Sequence, residues 1–247
     1  MAVKKTSKTN TKPKPKEGKR SFANKVARFC LKAFLWFFAI SLFFVILFKF
    51  VPVPFTPLMA IRGMETRQDG KEKVCKHDWV PLEDISENLQ KAVIASEDGT
   101  FLSHNGFDFG AMQKAFDSNQ KGRKLKGGST ISQQTAKNVF LWQGRSYLRK
   151  GLEAYFTVLI ELIWGKERIM EVYLNSIEMG DGIYGAQAAS EFWYGKSAKN
   201  LSKYEAAGIA AILPSPRRFK ASNSSSYINR RKDKIVRVMR HIGKIEY

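Results

Sequence analysis

A mainly α-helical domain behind a single N-terminal transmembrane helix is the fold class this sequence predicts, and three observations predict it. Ala33 to Phe48 (AFLWFFAISLFFVILF) is a run of sixteen residues without a charge. From Glu83 onward, apolar residues recur at helical spacing behind repeated capping signals. No strand-rich region, internal repeat or dinucleotide-type glycine fingerprint interrupts that pattern.

The apolar run comes first. Sixteen residues fall a little short of the roughly 20 that cross a bilayer core, but Leu31, Phe50 and Val51 extend it, and the flanking Lys32 and Lys49 are long enough to snorkel. A helix apolar on every side belongs in lipid rather than in the core of a small soluble fold. The basic stretch ahead of it is too long for a signal peptide, and Val51-Pro-Val-Pro-Phe offers no small-x-small cleavage site. The expected organisation is a basic cytoplasmic tail over 1–32, an anchor over 33–52, an irregular juxtamembrane linker over 53–82 with a proline-rich extended exit, and the main domain over 83–247.

Charge supports that division. The formal net charge is +20, from 42 basic and 22 acidic residues. Eleven of the basic residues fall in 1–32 against the single acid Glu17. Such a tail stays in the cytoplasm under the positive-inside rule, which puts the rest of the chain outside. It is polar and rich in Lys and Pro, a composition expected to be disordered, with affinity for anionic membrane lipid rather than nucleic acid. The domain has material for a core, with 44% apolar and 13% aromatic residues, which excludes a disordered or fibrous chain. Cys30 and Cys75 lie on opposite sides of the span and cannot pair, and the three histidines are too scattered for a metal site.

The helices follow in order. Ser86 caps one carrying Leu89, Val93 and Ile94 and ending near Gly99. Thr130 and Gln133 have capping-box spacing ahead of TISQQTAKNVFL. Ser146 opens a long helix through Leu152, Phe156, Leu159 and Ile163 that breaks near Gly165, and ERIMEVYL forms another. Ser202 and Glu205 make a second capping box, before a small-residue helix that stops ahead of Pro214. Ile235, Val238, Met239 and Ile242 mark a last helix with a basic outer face.

Four stretches carry chemistry. Glu97-Asp98 sits at a helix C-terminus, where the dipole and a neighbouring Phe101 disfavour a carboxylate, a setting suited to a general acid or base. Alone, paired acids there are ordinary surface groups. Gly127-Gly128-Ser129-Thr130 opens a helix on which Gln134, Lys137 and Asn138 share one turn, and resembles an anion-binding N-terminus. Ahead of it, the basic residues 119–126 read as a mobile flap or a solvated loop. Arg145, Arg149, Lys150 and Glu153 set a carboxylate among cations, either a helical ion pair or an ionised acid beside a pyrophosphate site. Glu171 and Asn175 share a helix face, where a structural hydrogen-bonding role is expected.

Together the stretches are far more specific. EDGTFLSHNG, GGSTISQQTAKN, RKGLE, KERIMEVYLN and GIYGAQAASEFWYGK, in this order, closely resemble the motifs of the family-51 peptidoglycan glycosyltransferases, in particular their monofunctional members. The resemblance covers about residues 80–220 and leaves no room for a second, transpeptidase domain before Tyr247. It implies a lysozyme-like helical fold with a jaw near the membrane, and transfer from a growing glycan on undecaprenyl pyrophosphate to lipid II. On the matching positions it implies Glu97 as the base, and Lys137 and Arg145 as cations for the leaving pyrophosphate. Ser129, Gln134, Asn138 and Arg149 are implied as substrate-binding neighbours, and Glu153 as a second acid that orients the cations or a divalent ion such as Mg. No other cofactor is implied. Cell-wall or division proteins are the partners expected of such an enzyme. Two other classes stay open on residues alone: a lysozyme-type hydrolase or lytic transglycosylase, and a non-catalytic membrane scaffold.

Overall fold

The computed structural model describes residues 17–68, 75–120, 128–144 and 146–247. Its chain order begins with α1 (Glu17–Phe50), α2 (Pro57–Gln68), β1 (Lys76–His77), α3 (Glu87–Glu97), α4 (Phe109–Gln120), α5 (Ile131–Phe140) and α6 (Tyr147–Ile163). It continues with α7 (Gly165–Ser176), β2 (Glu178–Gly180), β3 (Ile183–Tyr184), α8 (Ala186–Tyr194), α9 (Lys203–Ile212) and α10 (Ser226–Met239). The mainly helical class is borne out. The predicted caps are present as well. Ser86 accepts from Asn88 N, Ser146 from Arg149 N, and both capping boxes, Thr130–Gln133 and Ser202–Glu205, close in both directions.

The chain forms two compact units, Met1–Phe44 and Val45–Tyr247. In the first, the apolar helix is longer than expected, beginning at Glu17; the rest of the tail, 1–16, lies outside the described residues. Phe22–Phe50 spans 29 residues, with only 11% of its most apolar window buried. That is the length and composition of a single-pass membrane anchor, and its exposed Phe34, Trp36 and Phe43 have no core of their own to enter.

In the second unit, the core is layered helix on helix. α9 packs against α3 and α10, and α5 against α6 and α7. The run of alanines on α9 permits close approach: a Cβ on Gly208 would sit 2.3 Å from the Tyr194 hydroxyl. Leu89, Ile131, Ile160, Met170 and Leu174 fill the interior. Asn175 has the structural role expected of it. Its amide donates to Val80 O (2.9 Å) and Glu171 O (2.9 Å) and accepts from Val80 N (3.0 Å), tying the entry of the domain to α7.

Two expectations need correction. The stretch read as a linker contains a helix, α2, because Pro57 stands at its first position, where a fixed φ and a missing N–H cost nothing; Leu58 and Met59 then bury against Tyr184. A small sheet of order β1-β3-β2 also exists, parallel between Lys76–His77 and Ile183–Tyr184 and antiparallel between β2 and β3. Strands of two or three residues are too short to leave an alternation in the sequence.

The last turn of the apolar helix belongs to the catalytic unit, not to the first one. Val45 is fully buried in the main core and Val53 nearly so. Deleting residues 1–52 is therefore expected to give a product that melts roughly 5–10 °C below one lacking only 1–44, since the buried valine and its helix end are worth about 2–4 kcal/mol. Thermal melts of the two deletions in one detergent check this, and coincident curves would refute it.

Candidate active site

The site is built on the end of α3 and the beginnings of α5 and α6. Glu97 is the last residue of α3. Its carboxylate accepts from Gln134 Nε2 on α5 (3.1 Å) and from Ser96 Oγ (3.3 Å). Gln134 is oriented in turn by α7, because the Tyr173 hydroxyl donates to its Oε1 (3.3 Å) and so turns the NH₂ toward Glu97. Tyr173 is fully buried, and burial, then the charges of Glu97 and Asp98, push its phenol well above its usual range, which keeps it a neutral donor.

Asp98, the neighbouring acid, does different work. It is buried and accepts from Ile131 N at the start of α5 (2.9 Å), where the helix dipole favours a carboxylate. His104 Nε2 lies 3.0 Å from both of its oxygens. Because His104 Nδ1 accepts from Gly106 N (3.1 Å), the ring proton must be on Nε2, donated to Asp98. Thr130 Oγ1 closes the loop by donating to Gly106 O (2.6 Å). The pair read together from sequence thus divides the work: Asp98 sews the loop to α5 and Glu97 is held by Gln134, while both line a cleft with Gly99, Asp108, Gly128, Ser129 and Thr130. Ser129 lies exposed at that rim.

Gly106 shows how tight this stitching is. Its φ is +87°, and a Cβ there would meet Thr157 Cγ2 at 2.8 Å and Glu161 Cγ at 3.0 Å on α6. Gly106→Ala is expected to destabilise the domain by about 2–4 kcal/mol and to lower turnover by displacing Asp98. A chemical denaturation curve within 0.5 kcal/mol of wild type (about the effect of a neutral surface change) would refute that.

The cations gather on α5 and α6. Arg149 Nη1 donates to Glu153 Oε2 (2.9 Å) and Lys150 Nζ pairs with Oε1, so both oxygens of this buried carboxylate are engaged. Lys137, one turn along α5, feels Glu153, Arg149, Lys150 and Glu97. Burial pulls its pKa below a lysine's usual value; the Glu153 carboxylate opposes that, and the Arg149 and Lys150 cations reinforce it. Asn138 is buried beside it on the same helix. Arg149 Nε is buried with no hydrogen-bond partner among the described residues, an unspent donor in the cation cluster around Glu153. Three cations around one carboxylate leave net positive charge for an anion.

The structure thus brings together Glu97, Gln134, Lys137, Asn138, Arg149 and Glu153. Arg145 and most of the basic flap, 121–127, lie outside the described residues. The sequence reading placed Lys150 in the cation cluster without giving it a role, and it missed Tyr173. Lys150 is three residues ahead of Glu153, at helical pairing distance, and pairs with it. Tyr173 left no signal, since only the packing of α7 on α5 brings it to Gln134. Glu153 has both oxygens on cations, so it does not stand ready as a ligand for a divalent ion, and among the described residues no group of three His, Cys, Asp or Glu could hold one by itself.

Comparison with known proteins decides what kind of site this is. The family model described as Transglycosylase matches residues 64–240, which takes in every residue of this site. The chain belongs to the transglycosylase family. It is 55% identical over 218 residues to the biosynthetic peptidoglycan transglycosylase of Bdellovibrio bacteriovorus, covering 88% of this chain and 87% of that one. It is 57% identical over 191 residues to that of Caulobacter vibrioides (77% and 81% covered), and 50% over 220 residues to that of Bacteroides thetaiotaomicron (89% of each). As a transglycosylase of this type the chain is a glycosyltransferase of peptidoglycan synthesis that polymerises glycan chains. The fold and activity implied by the five motifs are borne out at this level.

Proposed function

We propose that the enzyme polymerises lipid II at the outer face of the bacterial inner membrane, with Glu97 as general base and Lys137 and Arg149 as the cations that receive the leaving pyrophosphate. One observation carries this reading: Arg149 and Lys150 gather on the buried Glu153 carboxylate, and the buried Lys137 feels the charges both of that cluster and of Glu97.

Glu97, fixed by Gln134, takes the proton from the 4-hydroxyl of the acceptor sugar. That oxygen attacks the anomeric carbon of the lipid-linked donor from the face opposite the pyrophosphate. The new C–O bond forms as the bond to the pyrophosphate oxygen breaks, and an α linkage becomes β-1,4. The electron pair leaves on undecaprenyl pyrophosphate, where Lys137 and the unspent Nε of Arg149 stabilise the growing charge. Arg145 is a third cation for this group on motif position. Ser129 and Asn138 contact the sugars or phosphates at the rim and on α5. Glu153 positions Arg149 and Lys150 rather than touching substrate, since both its oxygens are taken.

The membrane assignment rests on α1 and on charge. The basic residues before the span keep the N-terminus in the cytoplasm and place the catalytic unit outside. No ATP is available there, so the donor must arrive activated, as a lipid pyrophosphate does. Cell-wall or division proteins fit as partners of such an enzyme.

Purified full-length protein supplied with lipid II is expected to make glycan chains that resolve as a ladder on a gel. Digestion of purified cell wall without any chain growth would replace this reading by the hydrolase one.

A further inference from the structure

The helix that leaves the membrane ends inside the catalytic unit, and its end is held in an unusually complete way. A helix C-terminus exposes carbonyls with no partner of their own. Here Arg168, near the start of α7, supplies them. Its Nε and Nη2 both donate to Phe48 O (3.0 and 2.8 Å), and Nη2 also donates to Val51 O (2.6 Å). Its Nη1 pairs with Glu171 (2.9 Å), and the guanidinium lies over the Trp79 ring at 5.2 Å. Every guanidinium nitrogen is used. An arginine present only for solubility would pair with Glu171, three residues on, and leave the rest to water. Trp164, at the α6–α7 junction, adds a bond from Nε1 to Val45 O (2.7 Å) and is itself nearly buried.

The two helices that receive this end also hold the chemistry. α6 carries Glu153, with Arg149 and Lys150. α7 carries Tyr173, five residues beyond Arg168, which orients Gln134 on Glu97. The exit of the span is therefore bonded, at Val45, Phe48 and Val51, to the same rigid elements as the site. For a soluble substrate this would be immaterial. For a sugar that is itself fixed to the bilayer by a lipid, the enzyme and substrate must meet in register, and a loose junction would spread the encounter over many unproductive positions.

We infer that Arg168 and Trp164 are positioning residues for the transfer reaction, locking the exit of the anchor helix to α6 and α7 so that a membrane-embedded substrate meets the cleft in register. The inference rests on the proposed reaction with a lipid-linked donor. A lysine at position 168 keeps the charge and the Glu171 pair but lacks the planar fork that holds two carbonyls at once. Phenylalanine at position 164 keeps an apolar ring against Phe140 and removes only the N–H donor.

The test compares two substrates for each full-length protein: lipid II in phospholipid vesicles, and a short-chain lipid II analogue free in detergent solution. The readout is the ratio of the two turnover rates, in which any loss of folded enzyme cancels. Arg168→Lys and Trp164→Phe are each expected to lower that ratio about tenfold, a modest share of what misplacement of a reacting pair can cost. Arg217→Lys, at an exposed pair with Asp181, is expected to leave it unchanged. A ratio equal to wild type in both variants overturns the inference, whether the two rates fall together or stay as they were. A wild-type protein that elongates neither substrate would instead overturn the reaction itself, and the inference with it.

Discussion

Glu97→Gln is expected to lower glycan polymerisation by roughly 10³-fold, the middle of what removal of a general base costs. The substitution is nearly isosteric. The amide oxygen still accepts from Gln134 Nε2, which Tyr173 holds in place, so the local hydrogen bonds survive. Its melting temperature should stay within a degree or two of wild type. The measurement is single-turnover chain growth from purified lipid II beside a thermal melt. A variant that is folded and retains more than a tenth of wild-type activity would remove Glu97 from the role of base. Asp98→Asn supplies the contrast. Asp98 holds His104 and the first N–H of α5, so its loss should appear first as lower stability, with activity falling as the loop loosens.

Lys137→Ala should be the second largest effect, roughly 10²-fold or more in turnover, the scale of one lost donor to a developing negative charge. Arg217→Ala is the control. Arg217 is a cation too, but half-exposed and paired with Asp181 at the surface, where such a pair is worth less than about 1 kcal/mol. Equal losses in both would dissolve the pyrophosphate assignment. The Lys137 cation also predicts a pH dependence of defined sign. Burial lowers its pKa below a lysine's ordinary 10.5, with Glu153 and Glu97 restraining the shift. The charge that stabilises the leaving group is present below that depressed pKa and is lost as pH rises through it. The alkaline limb of kcat/KM should therefore fall earlier than an ordinary lysine would give. Lys137→Arg, which stays charged, should carry the limb to higher pH. Superimposable limbs for wild type and Lys137→Arg would show that another group titrates there.

Much of this site was legible because its parts are local. Gln134, Lys137 and Asn138 lie within one turn of a helix whose capping box is spelled out by Thr130 and Gln133. Arg149 and Glu153 lie four apart behind the Ser146 cap. Spacing along a helix determines which side chains are neighbours, so a motif of this kind carries its geometry with it. Glu97 and Asp98 show the limit. Adjacent in the chain, they are indistinguishable in composition, and only the approach of α5 ties one to the first N–H of that helix and the other to Gln134.

The same division holds for the whole molecule. The sequence by itself determined the apolar span, the helical class, the caps that start α3, α5, α6 and α9, and the family to which the motifs belong. Each of these follows from hydrophobic period, backbone capping or charge, which act within a few residues. Only the tertiary structure decided that Tyr173 orients Gln134, that α2 and the three short strands exist, and that Arg168 holds the end of α1. Those contacts join residues up to 120 positions apart. Hydrogen bonding and close packing depend on where atoms arrive in space, and no short-range pattern in the chain records that.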